Sequence, residues 1–138
     1  MTILLDNGLR LPLLAASNPG RLITIEEAST TFEASHAHVA KAANRLVRSA
    51  FLESLRGRNG GLRLARSPEQ ICLGEVVAAM THSTCDNLFE NDVLRGWRCV
   101  RAGARAACMR HLQGRSLADL LGDPVFSLES KVTELQAL

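Results

Sequence analysis

The chain has 138 residues, 46% of them apolar and 22% charged, with a net charge of +2. It is long and apolar enough to bury a core of its own, which excludes intrinsic disorder. Four Phe, one Trp and no Tyr, set beside abundant Ala, Leu and Arg, favour helices over an all-β sandwich. Residues 36–66 hold Lys41, Arg45, Arg48, Arg56, Arg58, Arg63 and Arg66 against a single acid, Glu53. Such clustering is what phosphate binding requires, and it is equally the solvated face of many stable domains.

The early stretch LRLPLLAAS is preceded by Asp6 and interrupted by Arg10, so it does not read as a signal peptide. No apolar run approaches the roughly 20 residues that span a bilayer. A cytoplasmic protein with reduced cysteines and no membrane partner is expected. Leu9, Leu11, Leu13, Leu14 and Ala15 predict a first helix, kinked or delayed by Pro12 and closed by the turn Asn18-Pro19-Gly20. Thr24-Ile25-Glu26-Glu27 has the form of a capping box and predicts a helix from Thr24 to about Phe32. Ser35 supplies the next N-cap. From His36 to about Ser49, Val39, Ala43, Leu46 and Val47 recur at helical spacing, while Lys41, Asn44, Arg45 and Arg48 fall largely on the other side. Two short helices joined by Glu33-Ala34 make a helix-turn-helix whose second member is the reading helix.

Residues 51–55 and 62–66 then alternate apolar and polar side chains around Asn59-Gly60-Gly61. Asn-Gly is a strong hairpin signal because both residues tolerate positive φ. The hairpin carries Arg56, Arg58 and Arg63 on or beside a slim tip, where guanidinium forks can grip phosphate or base edges. A helix-turn-helix followed at once by a basic hairpin points to DNA.

A further helix begins near Leu73, and Cys72 reads as a small buried hydrophobe at a strand edge. Cys72, Cys85, Cys99 and Cys108 form no close CxxC pair, which removes the strong zinc-finger signatures. Two readings of the next segment stay open. If 92–112 is one helix, Val93, Trp97, Val100, Ala104, Ala107 and Cys108 face one way and Cys99 points nearly opposite, at about 100° per residue. If the helix starts after Cys99, near Gly103, residues 83–102 are a loop able to bend Cys85 and Cys99 towards Cys108. The six arginines from Arg95 to Arg115 are then either the solvated face of a dimerisation helix or an extension of the positive field. Asp123-Pro124 breaks the chain, and Leu128, Val132 and Leu135 suggest a last short amphipathic helix.

The RGRNGG hairpin, the HVAK…NRLVR helix and the later SLADLL resemble the winged helix-turn-helix bacterial repressor family that includes the nitric-oxide-sensing regulator NsrR and the iron–sulfur cluster assembly regulator IscR. The resemblance implies a mainly α fold: a winged helix-turn-helix domain with a two-stranded β-wing over 1–81, a cluster or sensor loop over 82–103, and a helical dimerisation region with a C-terminal tail over 104–138. It implies a homodimer on a dyad-symmetric double-stranded DNA operator, the reading helix in the major groove and the wing in the adjacent minor groove. Ser35, His36, His38, Lys41 and Arg45 then belong to the reading surface, and Arg56, Arg58, Asn59 and Gly60 to the wing. Three cysteines of this family hold a 2Fe-2S or 4Fe-4S iron–sulfur cluster. Here they correspond to Cys85, Cys99 and Cys108, with His111 or Asp6 as fourth ligand, at wider intervals than the family's. His36-Ala37 stand where the family commonly has Arg-Asn, and Glu33 and Ala50 stand where turn glycines are usual.

The expected function is a DNA-binding transcriptional repressor controlled by a cluster that senses nitric oxide, redox or iron state. A clusterless regulator answering to a small ligand, a thiol modification or a protein partner is the alternative, and an interaction module without DNA binding stands behind it. No nucleophile elbow, P-loop, HExxH or paired carboxylates point to an enzyme.

Overall fold

The computed structural model describes residues 3–81 and 95–123. Cys85 and the expected helix of Leu128, Val132 and Leu135 lie outside the described residues. Six helices and one antiparallel hairpin follow in the order α1 (Ile3–Ser17), α2 (Ile25–Phe32), α3 (His36–Arg48), β1 (Leu52–Leu55), β2 (Gly61–Leu64), α4 (Leu73–Thr81), α5 (Arg95–Gln113) and α6 (Leu117–Leu121), with a 3-10 turn at Pro68–Gln70 before α4. The fold is mainly α, with a two-stranded wing.

The first helix differs from expectation. It starts well before Pro12 and runs through it, although proline forfeits an N–H and costs about 3 kcal/mol in a helix interior. Burial offsets that cost, because Leu11, Pro12, Leu13, Leu14 and Ala15 are all enclosed. The helix lies against α3 and α4. At Gly8 the approach of α4 is so close that a Cβ would come within 2.5 Å of the Met80 Cγ and Sδ.

Thr24 caps α2 by accepting the Glu27 N–H at 3.1 Å. The Glu27 carboxylate is engaged by Arg21, which holds it below the usual carboxylate range. Phe32 ends the helix, and Glu33 takes the left-handed conformation at φ 52°, ψ 39°. Ser35 then caps α3 by accepting the His38 N–H at 3.3 Å. Val39, Ala42, Ala43 and Leu46 turn inward from α3 and meet Leu11, Ile23, Val76 and Met80 in one core. A second residue with positive φ, Ala50 at 57°, turns the chain from α3 into β1.

In the wing Leu52 pairs with Leu64, Glu53 with Arg63, Ser54 with Leu62 and Leu55 with Gly61. Ile23 bridges Leu62 from the other side by two backbone hydrogen bonds of 2.9 and 2.7 Å, which anchors the hairpin to the α1–α2 connection. The turn is not the expected Asn-Gly type. It spans 56–60, positive φ falls on Gly57 at 118°, and the Gly60 N–H bonds the Gly57 carbonyl at 3.1 Å. Gly60 is required for room: a Cβ there would lie 2.2 Å from the Leu55 carbonyl oxygen.

Cys72 is half-buried and bridges Ser116, so the start of α4 and the start of α6 are tied together. Among the described residues no helix is long and apolar enough to cross a membrane.

Candidate nucleic-acid interface

The second helix of a helix-turn-helix reads DNA only if its outer arc is free. The buried positions of α3 fix that arc, at about 100° per residue, on Ala37, Lys41, Asn44 and Arg48, all exposed. Ser35, His36 and His38 are exposed around the helix N-terminus. The Ser35 hydroxyl lies 2.7 Å from His38 Nδ1, so the same side chain that caps the helix also orients the imidazole. Ser35 Oγ already accepts the His38 N–H. The roles of donor and acceptor in that contact follow the imidazole tautomer, and in both the ring is held at the exposed start of the helix.

Arg45 stands apart from the rest of the expected reading surface. It is half-buried, and its guanidinium donates to the Met80 carbonyl at 2.9 Å, pinning the end of α4 to α3. Two more arginines of the basic run are likewise occupied. Arg63 donates to Glu53 across the hairpin at 2.8 Å. Arg66 donates to the Ala50 carbonyl at 3.2 Å, stacks over the Phe51 ring at 4.9 Å and lies 3.8 Å from Glu75.

Lys41, Arg48, Arg56 and Arg58 remain exposed and carry no partner among the described residues. Arg56, Gly57, Arg58 and Asn59 form the wing tip beyond the last strand pair. A cleft of about 400 Å³ runs between α3 and the wing, with Asn44, Ser54 and Arg56 on its walls. Asn44 and Ser54 were not among the expected site residues. The helical spacing of Lys41, Asn44 and Arg48 is the signal that could have found the first of them.

Among the described residues the expected cluster ligands Cys99, Cys108, His111 and Asp6 do not come together. The segment from Arg95 is helix, so residues 95–103 do not belong to a sensor loop, and Cys99 and Cys108 share the uninterrupted α5. Nine residues apart, they lie about 180° around and about 13.5 Å along the helix from one another, both exposed. His111 is exposed one turn after Cys108. Asp6 is paired with Arg10 at 3.1 Å. Among the described residues no group of three His, Cys, Asp or Glu side chains comes together to hold a metal.

A helix-turn-helix whose second helix runs straight into an antiparallel hairpin defines a winged helix-turn-helix protein, a DNA-binding class. Residues 5–123 match the family described as Rrf2, iron-dependent transcriptional regulator, and the chain belongs to that family. It is similar to the HTH-type transcriptional regulator NsrR of Halalkalibacterium halodurans, at 32% identity over all of this chain and 95% of the relative. In fold it is similar to IscR of T. potens, with a TM-score of 0.69 and 20% identity over 88% of this chain and 85% of that one. It is also similar to CymR, the global cysteine regulator of B. subtilis, with a TM-score of 0.67 and 20% identity over 87% and 94% of the two chains. The protein is accordingly a transcriptional regulator and not an enzyme.

Proposed function

We propose that the chain is a cytoplasmic, dimeric repressor that lays α3 in the major groove of a dyad-symmetric operator and its wing in the adjacent minor groove. One observation carries the reading: of the seven basic residues in 36–66, the four without a partner among the described residues all lie on the outer arc of α3 or in the wing tip. Lys41 and Arg48 are placed for phosphates, which fix register and orientation. His36 and the His38 imidazole stand at the helix end nearest the base edges, with Ser35 as the group that orients His38. Arg58 and Asn59 form the part of the wing slim enough for the minor groove, a shape that Gly60 permits. Arg45 serves as a positioning residue for the reading helix.

The operator is presented as a fragment that the wild-type protein selects from a random pool. Binding should weaken steeply with salt, the logarithmic slope falling by about 0.9 for each phosphate contact removed. Lys41→Ala should therefore lower it by about 1.8 in a two-fold dimer while leaving the melting temperature in place. A grip indifferent to salt would end the DNA-binding reading.

The second reading concerns control. Two cysteines on opposite sides of one helix do not fit a cluster shared by Cys85, Cys99 and Cys108, and this favours the clusterless regulator over the cluster-bearing one. Protein purified without air should lack iron and sulfide after reconstitution, and Cys85→Ala, Cys99→Ala and Cys108→Ala should each retain operator affinity. A coloured preparation containing iron and sulfide in equal amounts would reverse that choice.

A further inference from the structure

We infer that the Asn59-Gly60 pair at the wing tip is a self-modification site, where hydrolysis of the Asn59 side-chain amide leaves a carboxylate and converts the protein into a form with a weakened hold on DNA. The chemistry stands on the chain alone, while its consequence rests on the DNA-binding reading above.

The chain holds two Asn-Gly pairs, Asn7-Gly8 and Asn59-Gly60, and the fold treats them oppositely. Asn7 is 1% exposed inside α1, where helical hydrogen bonds fix the backbone and close packing keeps water away. Asn59 is exposed in a turn beyond the four strand pairs, and its side chain has no partner among the described residues. Gly60 follows it with no side chain to screen the main-chain nitrogen. No larger residue fits there without moving the turn, because a Cβ would lie 2.2 Å from the Leu55 carbonyl oxygen. The Gly60 N–H donates to the Gly57 carbonyl at 3.1 Å, and opening of that bond frees the nitrogen. Arg56 and Arg58, exposed on the same turn, favour its deprotonated, anionic form.

The nitrogen, its proton passed to water, attacks Asn59 Cγ. The N–Cγ bond forms, the Cγ–Nδ2 bond breaks, and the amide nitrogen takes a proton from water and leaves as ammonia. Water then adds to either carbonyl of the resulting succinimide and opens it to aspartate or isoaspartate. Water is consumed and ammonia released, with no change of oxidation state. Both products set a negative charge beside Arg58, and isoaspartate also lengthens the main chain near the Leu55–Gly61 end of the hairpin. A carboxylate at the tip opposes the positive field that Arg56 and Arg58 present to phosphates. DNA seated against the wing shields the tip, so the change falls on protein that is off its operator.

The test keeps the full-length protein at mildly alkaline pH over a series of days in three states: folded, folded with a short duplex selected from a random pool by the wild-type protein, and unfolded in urea. Peptide mass mapping follows both Asn-Gly pairs, and affinity for the selected duplex and for an unselected one is titrated across a salt series. In the folded protein Asn59 should convert while Asn7 does not, urea should expose both to conversion, and the selected duplex should slow the change at Asn59. Affinity for both duplexes should fall in step with conversion, roughly tenfold when it is complete, with the salt slope lower by about 1.8 per dimer if each carboxylate cancels one cation contact. Asn59→Asp should bind in this weakened way from the start, and Asn59→Gln should hold whatever affinity it begins with. An Asn59 amide that persists in the folded protein while urea converts it, or conversion that leaves affinity and slope unchanged, would overturn the assignment. Fresh wild-type protein that binds neither duplex would instead remove the DNA-binding reading, with the mass readout still deciding the chemistry.

Discussion

At the scale of single residues, the two turns that frame the reading helix hold side chains in a conformation that suits glycine. Glu33 and Ala50 are the non-glycine residues with positive φ among those described, at 52° and 57°. The left-handed region costs an L-residue roughly 1–2 kcal/mol, part of which glycine returns as chain entropy. Glu33→Gly and Ala50→Gly should each stabilise the fold by about 0.5–1 kcal/mol, read as a higher urea midpoint with an unchanged slope. Both positions were legible in the sequence, as places where a glycine was expected. Arg45 was not. Its spacing put it with the exposed cations, and only the approach of α4, distant in sequence, shows that its guanidinium belongs to the Met80 carbonyl. Arg45→Ala leaves that carbonyl without its protein donor and should lower the melting temperature, where Lys41→Ala should not.

At the scale of elements, what local chemistry dictates was readable and what packing dictates was not. Thr24 and Ser35 bear the hydroxyls that satisfy free N–H groups at helix starts, and both caps stand where their side chains required. The hairpin strands were legible from their alternation. The turn between them was not, since five residues from Arg56 to Gly60 offer several ways to close and Gly57 took the positive φ that Asn59-Gly60 suggested. Pro12 misled for a related reason: its local penalty was visible, whereas the buried face that absorbs it comes from the whole core. Helix α6 is a clear case of local control. Ser116 accepts the Asp119 N–H at 3.2 Å, and the Asp119 carboxylate accepts the Ser116 N–H at 2.7 Å. That backbone bond, with the Ser116 hydroxyl second, holds the Asp119 carboxyl below its ordinary range. A depressed carboxyl contributes stability above its unfolded pKa and loses it as pH falls through the folded value. Asp119→Asn should therefore be less stable than the wild type at neutral pH, and the gap should close below about pH 4. A gap that persisted in strong acid would assign the effect to something other than this charge.

At the scale of the whole molecule, α5 has more surface than the described residues cover. Leu112 leans on the core, while Ala104, Ala107 and Cys108 are exposed and Val100 is 64% exposed. The dimer proposed above is expected to use this face against its own copy. Val100→Glu places two like charges near one two-fold axis and should yield a monomer by light scattering. Selected-duplex affinity should fall far more than unselected affinity, because one half-site remains per molecule. An intact dimer would move the contact elsewhere on the surface. The sequence left two starts open for this helix, one at Asp92 and one after Cys99 near Gly103; the described helix includes Cys99 and sets it back to back with Cys108.

Met80 is gripped at both ends: its thioether lies where Gly8 leaves no room for even a methyl group, and its carbonyl lies in the hand of Arg45. Adding one carbon at position 8 would force the Met80 thioether out of its place against α1. The one position of α1 without a side chain at this contact thus sets how closely α4 packs against it.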